Sequence, residues 1–141
     1  MLEPSSATDS LAKAVIGAAI EVHRAVGPGY QESVYEEALT IELGLQGIPF
    51  ERQKPFALTY KGRPIGSGKL DFLIAGELVV ELKAIEAFAP IHTAQVISYL
   101  HATGCSLGLL INFNVRLLKD GVKRIVLNTP LPPPALQETS P

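Results

Sequence analysis

The stretch from Lys69 to Lys83 constrains the fold of this chain more than any other. Two short apolar runs lie on either side of Ala75-Gly76-Glu77, and a glycine-containing connection between such runs predicts a β-hairpin. If the loop has three residues, counting back along both strands places Asp71 directly opposite Glu81. The hairpin is therefore expected to bring two carboxylates together across neighbouring strands.

These two acids are expected to share one face of the hairpin with Lys83. Side chains alternate between the two faces of a strand, so Glu81 and Lys83 project on the same side. Like charges opposite each other destabilise a sheet, and carboxylates are seldom buried without partners. A hard divalent cation bound by oxygen ligands would offset this repulsion, and the ammonium of Lys83 would add positive charge. Such a cluster can bind Mg²⁺ and a phosphate together.

A plainer interpretation of the same residues stays open. A Glu-x-Lys sequence on a strand is usually a solvated face that carries a weak surface ion pair. The residues around Asp71, Glu81 and Lys83 are mainly leucine, isoleucine, valine and phenylalanine, which favours a strand covered on at least one face. The metal-site hypothesis depends on the register of the hairpin, because a shift of one residue would separate the two acids.

Length and composition predict one folded domain. With 141 residues and 15.1 kDa, the chain is large enough for a hydrophobic core, and 47% hydrophobic against 18% charged residues argues against disorder. We expect the domain to span residues 10–128, between a flexible tail at 1–9 and a flexible, proline-rich tail at 129–141. A mean hydropathy of +0.24 indicates a buried interface, with a homodimer as its simplest form.

The net charge and the cysteine content limit which binding partners and which cellular compartment are expected for this chain. The net charge of −2 gives no general attraction to nucleic acid, so binding would need a local basic patch or a metal ion. Cys105 is the single cysteine, which excludes an intrachain disulfide and a multi-cysteine zinc site, so a reducing cytoplasm is expected. We expect neither export nor membrane association, because the sequence lacks an export signal and an apolar run of spanning length.

Apolar periodicity and turn residues predict a series of helices and strands. The first helix is expected to be capped by Asp9 or Ser10 and to end at Gly27. The predicted apolar stripes are Val34, Ala38, Ile41 and Leu45 in a second helix over 31–45, and Ala94, Ile97 and Leu100 in a third from Pro90 to about Gly104. The predicted strands are 56–60, the two strands of the hairpin, 107–111 and 122–127.

Three further groups of polar residues are candidates for the site. Glu32, at the start of the second helix, either is favoured there by the helix dipole or supplies another metal oxygen. Gln95 and Tyr99 are four apart on one helix face, where they are either ordinary flanking residues or partners of a phosphate and the hairpin charges. A local excess of basic residues could face phosphates or be merely solvated: Arg52, Lys54, Lys61, Arg63 and Lys69.

The order of these elements and motifs resembles the PD-(D/E)XK nuclease superfamily. More narrowly, Gly29 to Tyr35 is similar to the motif that names the GxxExxY protein family. The resemblance covers roughly residues 10–127, and it implies an α/β, restriction-endonuclease-like core with a mixed central sheet flanked by helices. Leu70 stands where members often have proline, a position that is only loosely kept. The likeness continues through Asp71, Glu81-Leu82-Lys83, Gln95 to Tyr99 and Gly108 to Phe113.

The resemblance also implies roles for the matching residues. Asp71 and Glu81 would bind Mg²⁺, or Mn²⁺ in its place, together with the main-chain carbonyl of Leu82. Lys83 would be the catalytic lysine, and Glu32 looks like the helix acid that some members add to the metal site. The residues implied to contact substrate or to support the site are Gln95, Tyr99 and Tyr35.

Two functions from different classes follow. The first is a Mg²⁺-dependent nuclease that hydrolyses phosphodiester bonds of DNA or RNA with a metal-activated water, and the intact set of Asp71, Glu81 and Lys83 favours it. The alternative is a non-catalytic nucleic-acid-binding or protein-assembly module that keeps the nuclease fold, which the negative net charge favours. A third interpretation treats the acids as ordinary structural ion pairs.

Overall fold

Residues 3–127, which the computed structural model describes, form a five-stranded mixed sheet with helices on both faces. The elements are α1 (Ser6–Val26), α2 (Glu32–Leu45), β1 (Phe50–Tyr60), β2 (Arg63–Ile74), β3 (Leu78–Lys83), α3 (Pro90–Thr103), β4 (Leu107–Asn112), a 3-10 turn (Leu118–Gly121) and β5 (Val122–Val126). The strands lie in chain order, and all neighbours are antiparallel except β3 and β4. The mixed α/β architecture expected from the sequence is confirmed.

The parallel pairing of β3 with β4 explains why α3 lies between them in the chain. Parallel neighbours need a crossover connection, and a helix that returns along one face of the sheet supplies it. β4 is buried along its whole length, as its continuous apolar run predicts. Helices α1 and α2 cover one face of the sheet, and α3 covers the other, so the core has two apolar layers.

Helix α1 begins earlier than the sequence indicates. The Ser5 hydroxyl accepts the backbone N–H of Thr8 at 3.1 Å, so the helix starts at Ser6 rather than after Asp9 or Ser10. The Asp9 carboxylate instead binds the Arg124 guanidinium at 2.7 Å. The expected flexible tail at 1–9 is therefore wrong from Ser6 onward, and the tail expected at 129–141 lies outside the described residues.

The buried stripes of α2 and α3 are turned relative to the predicted ones. In α2 the buried residues are Tyr35, Leu39 and Leu43. The predicted Val34, Ile41 and Leu45 are 38%, 63% and 77% exposed. Tyr35 fixes this rotation because its ring stacks on Phe113, with centroids 4.6 Å apart. In α3 the fully buried positions are Thr93, Val96 and Leu100, whereas the predicted Ala94 and Ile97 are only half-buried.

Strand β1 begins at Phe50, six positions before the predicted strand start at Phe56. An unbroken run of polar and charged residues over 51–54 conceals this part of the strand from a hydrophobicity pattern. Its connection to β2 is a tight turn in which Lys61 and Gly62 both have positive φ, at 51° and 78°. Farther along β2, a Cβ atom on Gly68 would lie 2.5 Å from the tip of the Phe56 ring, so a larger residue there would require that ring to move. Within residues 3–127, no helix is long and apolar enough to cross a membrane.

Candidate active site

Two carboxylates meet where β2 and β3 separate. The three-residue loop is as predicted, and the ladder of paired residues runs from Ile74↔Leu78 to Phe72↔Val80. Beyond it, the Asp71 N–H donates to Glu81 Oε2 at 2.7 Å, and the Leu82 N–H donates to Asp71 Oδ2 at 2.8 Å. Each carboxylate thus takes the place of a ladder carbonyl, which holds both acids between the diverging strands.

An irregularity in β2 brings the two acids together, rather than the regular alternation of side chains along the strands. Leu70 packs in the apolar layer under α3, whereas Phe72, two positions on, packs in the layer under α1 and α2. Regular alternation would keep both on one face, so the strand is irregular at Asp71. Opposite it, Gln53 has a φ of 52° and falls between the paired positions on either side. The irregularity turns the Asp71 carboxylate between the strands.

The backbone around Lys83 orients the end of β3. The Lys83 carbonyl accepts the Phe113 N–H at 2.9 Å, toward β4, while the Leu82 N–H points toward Asp71. Because backbone polar groups alternate sides along a strand, the Leu82 carbonyl lies on the β2 side with the carboxylates. Within residues 3–127, the Lys83 ammonium makes no hydrogen bond or salt bridge, and its charge influences Asp71, Glu81 and Glu32.

Gln53, Glu36 and Arg52 extend the site toward α2. Sequence reasoning assigned neither Gln53 nor Glu36 to it, and it named Arg52 only as part of a basic group that could face phosphates. Gln53 Nε2 donates to Asp71 Oδ1 at 3.3 Å and to both Glu36 carboxylate oxygens at 3.1 Å. Arg52 Nε lies 2.6 Å from Glu36 Oε2, so an ion pair fixes β1 against α2. No local signal marks Gln53, because its place opposite Asp71 depends on a register shift nearer the β1–β2 turn.

Burial dominates the electrostatics of the paired acids. Burial, followed by the charge of Asp71, raises the pKa of Glu81 to about 8, and Glu81 is only 7% exposed. Burial also raises the pKa of Asp71, although the hydrogen bond from the Leu82 N–H opposes this increase. Two carboxylates that resist ionisation side by side form a site that a cation would stabilise.

Glu32 approaches the site from the start of α2 without joining the carboxylate pair. Burial, and then the charge of Asp71, raises the pKa of Glu32, while Lys83 lowers it. Its carboxylate makes no hydrogen bond to any residue in the described range 3–127. No three His, Cys, Asp or Glu side chains in that range are grouped closely enough to hold a metal ion together. The structure therefore does not bear out Glu32 as a third carboxylate ligand beside Asp71 and Glu81.

Helix α3 contributes Tyr99 but not Gln95 to this environment. The Tyr99 ring packs on Phe56, with centroids 5.2 Å apart. Burial, and then the charges of Glu81 and Asp71, raise the pKa of its hydroxyl. Gln95 is exposed and makes no side-chain hydrogen bond within residues 3–127. His92 Nδ1 accepts the Ala89 N–H at 2.8 Å, a structural role like that expected from its sequence context.

Tyr35 supports the fold and lies out of reach of a substrate. Its side chain is fully buried, and its hydroxyl donates to the Gly27 carbonyl at 2.6 Å. The same hydroxyl accepts the Tyr30 N–H at 3.2 Å, so Tyr35 ties the α1–α2 connection to the core. Of the two roles expected for Tyr35, the burial of its side chain argues against contact with a substrate. Its hydrogen bonds favour a supporting role in the fold.

Asn112, at the end of β4, is a further residue that sequence reasoning did not assign to the site. Its Oδ1 accepts the backbone N–H groups of Ile85 and Asn114, both at 3.1 Å. Its Nδ2 donates to the Ile85 carbonyl at 2.9 Å. Asn112 is 3% exposed and holds the segment that follows Lys83, so it fixes where the lysine leaves the sheet. A polar residue ending a fully apolar strand is the sequence signal that could have indicated this role.

A cavity of about 550 Å³ lies apart from the carboxylates, between the end of α1 and the 3-10 turn. No candidate site residue lines it. The residues around it are Ile20, His23, Arg24, Gly27, Pro28, Arg116, Leu117, Leu118 and Lys119.

The donors at the carboxylate pair fit a hard divalent cation. Asp71 and Glu81 offer carboxylate oxygens, and Leu82 presents a main-chain oxygen on the same side, which are the ligands that Mg²⁺ prefers. Mg²⁺ is commonly bound through one or two carboxylates, with waters and substrate phosphates as its other ligands, so a cluster of three acids is not required. The raised pKa values of both acids agree with a missing positive partner.

Comparison with known proteins identifies the family. No curated protein matches the sequence. The solved structure titled "Crystal structure of SSO0001" matches with 18% sequence identity and a TM-score of 0.49, over 71% of this chain and 50% of that chain. This chain thus spans half the length of that solved chain. The sequence model of the PD-(D/E)XK nuclease superfamily matches residues 9–125, which is most of the chain. The chain belongs to the PD-(D/E)XK nuclease superfamily.

Proposed function

We propose that this protein is a metal-dependent nuclease whose active site is formed by Asp71, Glu81 and Lys83. The observation that carries the proposal is a pair of hydrogen bonds across two strands, from the Asp71 N–H to the Glu81 carboxylate and from the Leu82 N–H to the Asp71 carboxylate. Beside them lies the Lys83 ammonium, which has no partner within residues 3–127. A buried and a half-buried acid held on neighbouring strands call for a cation, and a neighbouring free ammonium can bind a phosphate oxygen. Membership of a nuclease superfamily makes nucleic acid the substrate class.

Asp71, Glu81 and the Leu82 carbonyl would hold the ion, which we propose to be Mg²⁺ with Mn²⁺ as a substitute. When bound, such an ion lowers the pKa of a water molecule and offsets charge on the phosphate. The protein's part is to fix the donors, because each carboxylate is already oriented by a backbone N–H of the opposite strand. This preorganisation removes the cost of arranging the acids when substrate arrives.

Lys83 and Glu32 act on the substrate side in this proposal. The Lys83 ammonium donates to a phosphate oxygen and stabilises the negative charge that grows there during hydrolysis. The Glu32 carboxylate, which has no hydrogen-bond partner in the described chain, can accept a hydrogen bond from the attacking water. Tyr99 offers its hydroxyl from α3. Gln95 is exposed one turn earlier on the same helix, and its contact with a bound phosphate remains a proposal.

We also assign the chain to the GxxExxY group within the superfamily. Gly29 has a φ of 105°, a conformation that favours glycine, and it precedes α2. Glu32 begins the helix near the acids, while Tyr35 anchors the same turn in the core. In this assignment the motif contains both Tyr35, which anchors the turn in the core, and Glu32, which belongs to the proposed site. A reducing compartment such as the cytoplasm suits the single cysteine, Cys105, which is buried as a free thiol.

The test is a nuclease assay on single- and double-stranded DNA and RNA, with Mg²⁺, Mn²⁺ or a chelator. Asp71→Ala and Lys83→Gln are each expected to lower the cleavage rate at least about 100-fold, because each removes charge stabilisation at the reacting phosphate. Lys13→Gln removes an exposed cation on α1 and serves as the matched control. Cleavage that persists at the wild-type rate in both site variants would exclude this active site.

One observation favours the alternative of an assembly module. Val34, Ile41 and Leu45 are exposed along one side of α2, where they form an apolar face that a second copy of the chain could cover. Ile41→Glu/Leu45→Glu would then convert a homodimer to a monomer in sedimentation measurements, whereas Leu117→Glu, at another exposed apolar position, would not. Loss of the dimer together with a wild-type protein inactive under every metal condition would favour the module over the nuclease.

A further inference from the structure

The end of the β1–β2 hairpin projects beyond the part of the sheet that the helices cover. Its eleven residues, Ala57–Ser67, are all exposed, and we call this segment the arm. Apolar side chains in the arm are also open to solvent, with Leu58 at 40%, Tyr60 at 60% and Ile65 at 64% exposure. A two-stranded ribbon exposed on both faces makes a poor core element, and its form suits contact with another molecule.

The charge of this region is opposite to that of the rest of the chain. Residues 52–70 contain five basic residues and no acidic residue, whereas all fourteen acidic residues and only seven basic residues lie elsewhere. Arg52 and Lys54 pair with nearby glutamates of α2 and β1. Lys61, Arg63 and Lys69 make no ion pair within residues 3–127, so their charges are available to a partner.

The register of the hairpin distributes these three cations around the ribbon. Arg63 pairs with Tyr60, and Lys69 pairs with Pro55, five positions away on β1. Paired residues share a face and alternate residues change face, so Arg63 and Lys69 lie on opposite faces of the ribbon. The shift between Leu58 and Thr59 produces this arrangement. Lys61 lies at the turn, so the arm together with the adjoining Lys69 carries positive charge on both faces of the hairpin and at its tip.

We propose that the arm inserts into the major groove of duplex DNA and holds the duplex for the carboxylate site. This inference rests on the nuclease activity proposed above. The major groove of B-form DNA is about 12 Å wide and admits a two-stranded ribbon, with a phosphate backbone on each side to meet the cations of both faces. The major groove of A-form RNA is too narrow for such a ribbon. A second arm as partner is disfavoured, because like charges repel.

The arm and the site are continuous along one strand. Arg63 lies eight positions before Asp71 in β2, a span of about 26 Å at ~3.3 Å per residue. One helical turn of DNA is about 34 Å long, so the same duplex can contact the arm and reach the carboxylates.

The test compares the wild-type protein with Lys61→Gln/Arg63→Gln by fluorescence anisotropy in buffer containing a chelator. The probes are a DNA duplex of about 20 base pairs, an RNA duplex of the same sequence and the single DNA strand. The double variant is expected to bind duplex DNA about tenfold more weakly, with a salt-dependence slope about two units smaller, because two phosphate contacts are lost. Lys13→Gln/Arg116→Gln removes the same charge from exposed positions outside the arm and should bind like wild type.

The outcomes separate this inference from the nuclease proposal. A loss of affinity for duplex DNA that exceeds the loss for RNA and for the single strand supports insertion into the groove. Equal losses on all three probes, or no loss relative to the matched control, overturn it while leaving the active site intact. A wild-type protein that cleaves single strands but does not bind the DNA duplex also overturns it. A wild-type protein that neither binds nor cleaves any nucleic acid removes the nuclease proposal itself.

Discussion

The backbone N–H of Asp71 donates to the Glu81 carboxylate at 2.7 Å, so the two acids of the candidate site are bonded through main chain as well as placed side by side. The return bond, from the Leu82 N–H to Asp71, closes the pair. Each bond also lowers the pKa of the carboxylate that accepts it, yet burial outweighs this effect at both residues. Backbone donors therefore hold both carboxylates in place, while burial makes their ionisation side by side costly.

The stability of the metal-free protein should fall as the pH rises from about 4.5 to about 8. Glu81 has an ordinary pKa of 4.5, which burial and the Asp71 charge raise to about 8 in the folded chain. Between these values the folded chain keeps a proton that the unfolded chain has released, so deprotonation favours unfolding. The stabilisation is complete below the lower value and is lost above the higher one. Urea denaturation across this range, in chelator, measures the effect.

Glu81→Gln should remove most of that pH dependence, because glutamine cannot ionise, and leave the part that is due to Asp71. Glu21→Gln, an exposed acid on α1, should leave the wild-type profile unchanged. A stability that rises with pH over this range would show that Glu81 is ionised in the folded protein and would contradict the electrostatics described for the site.

Binding of Mn²⁺ or Mg²⁺ should release protons at neutral pH. Because the pKa of Glu81 is raised to about 8, its carboxyl is largely protonated at neutral pH, and a metal ligand must be ionised. Isothermal titration calorimetry in two buffers with different ionisation enthalpies should detect up to about one proton released per ion. Asp71→Ala should abolish the binding heat. Binding without proton release would place the ion away from Glu81.

Asn112→Ala should destabilise the protein and slow cleavage together. The substitution removes three hydrogen bonds, two to the Ile85 backbone after Lys83 and one to the Asn114 N–H, and it leaves the Ile85 N–H without its side-chain acceptor. A loss of about 1–3 kcal/mol in the free energy of unfolding is expected from such a change. Below the unfolding temperature, kcat should fall because Lys83 is less well positioned.

Asn114→Ala is the matched control for that variant. Asn114 is exposed, and its side chain makes one bond of 3.3 Å to the Ile85 carbonyl, so its removal should cost less than about 0.5 kcal/mol. Equal effects of the two substitutions on stability and kcat would mean that Asn112 does not position the lysine.

Tyr35→Phe should lower stability without changing the kinetics of the folded enzyme. The variant keeps the stacking on Phe113 but removes the hydroxyl that bonds the Gly27 carbonyl and the Tyr30 N–H. The expected loss is about 1–2 kcal/mol, measured by chemical denaturation. Tyr30→Phe, at a ring that is 56% exposed, should change stability little. A fall in kcat for Tyr35→Phe at unchanged stability would contradict its structural role.

Local sequence signals determine where α1 ends and where α3 begins, whereas tertiary packing determines the rotation of α2. The end of α1 at Gly27 and the start of α3 at Pro90 follow from the backbone preferences of glycine and proline, and both are observed. The rotation of α2 could not be predicted, because two apolar stripes compete along it. The stacking of Tyr35 on Phe113 decides between them, and Phe113 is far away in the chain.

The sequence by itself determined the hairpin, its three-residue loop and the register from Ile74↔Leu78 to Phe72↔Val80, because strand register follows from a short loop and a period of two. Only the tertiary structure decided which groups surround Asp71 and Glu81. The strand irregularity at Asp71, Gln53 opposite it and Asn112 behind Lys83 each depend on pairings between distant segments. Local composition cannot predict such pairings, since they form only when the whole sheet is assembled.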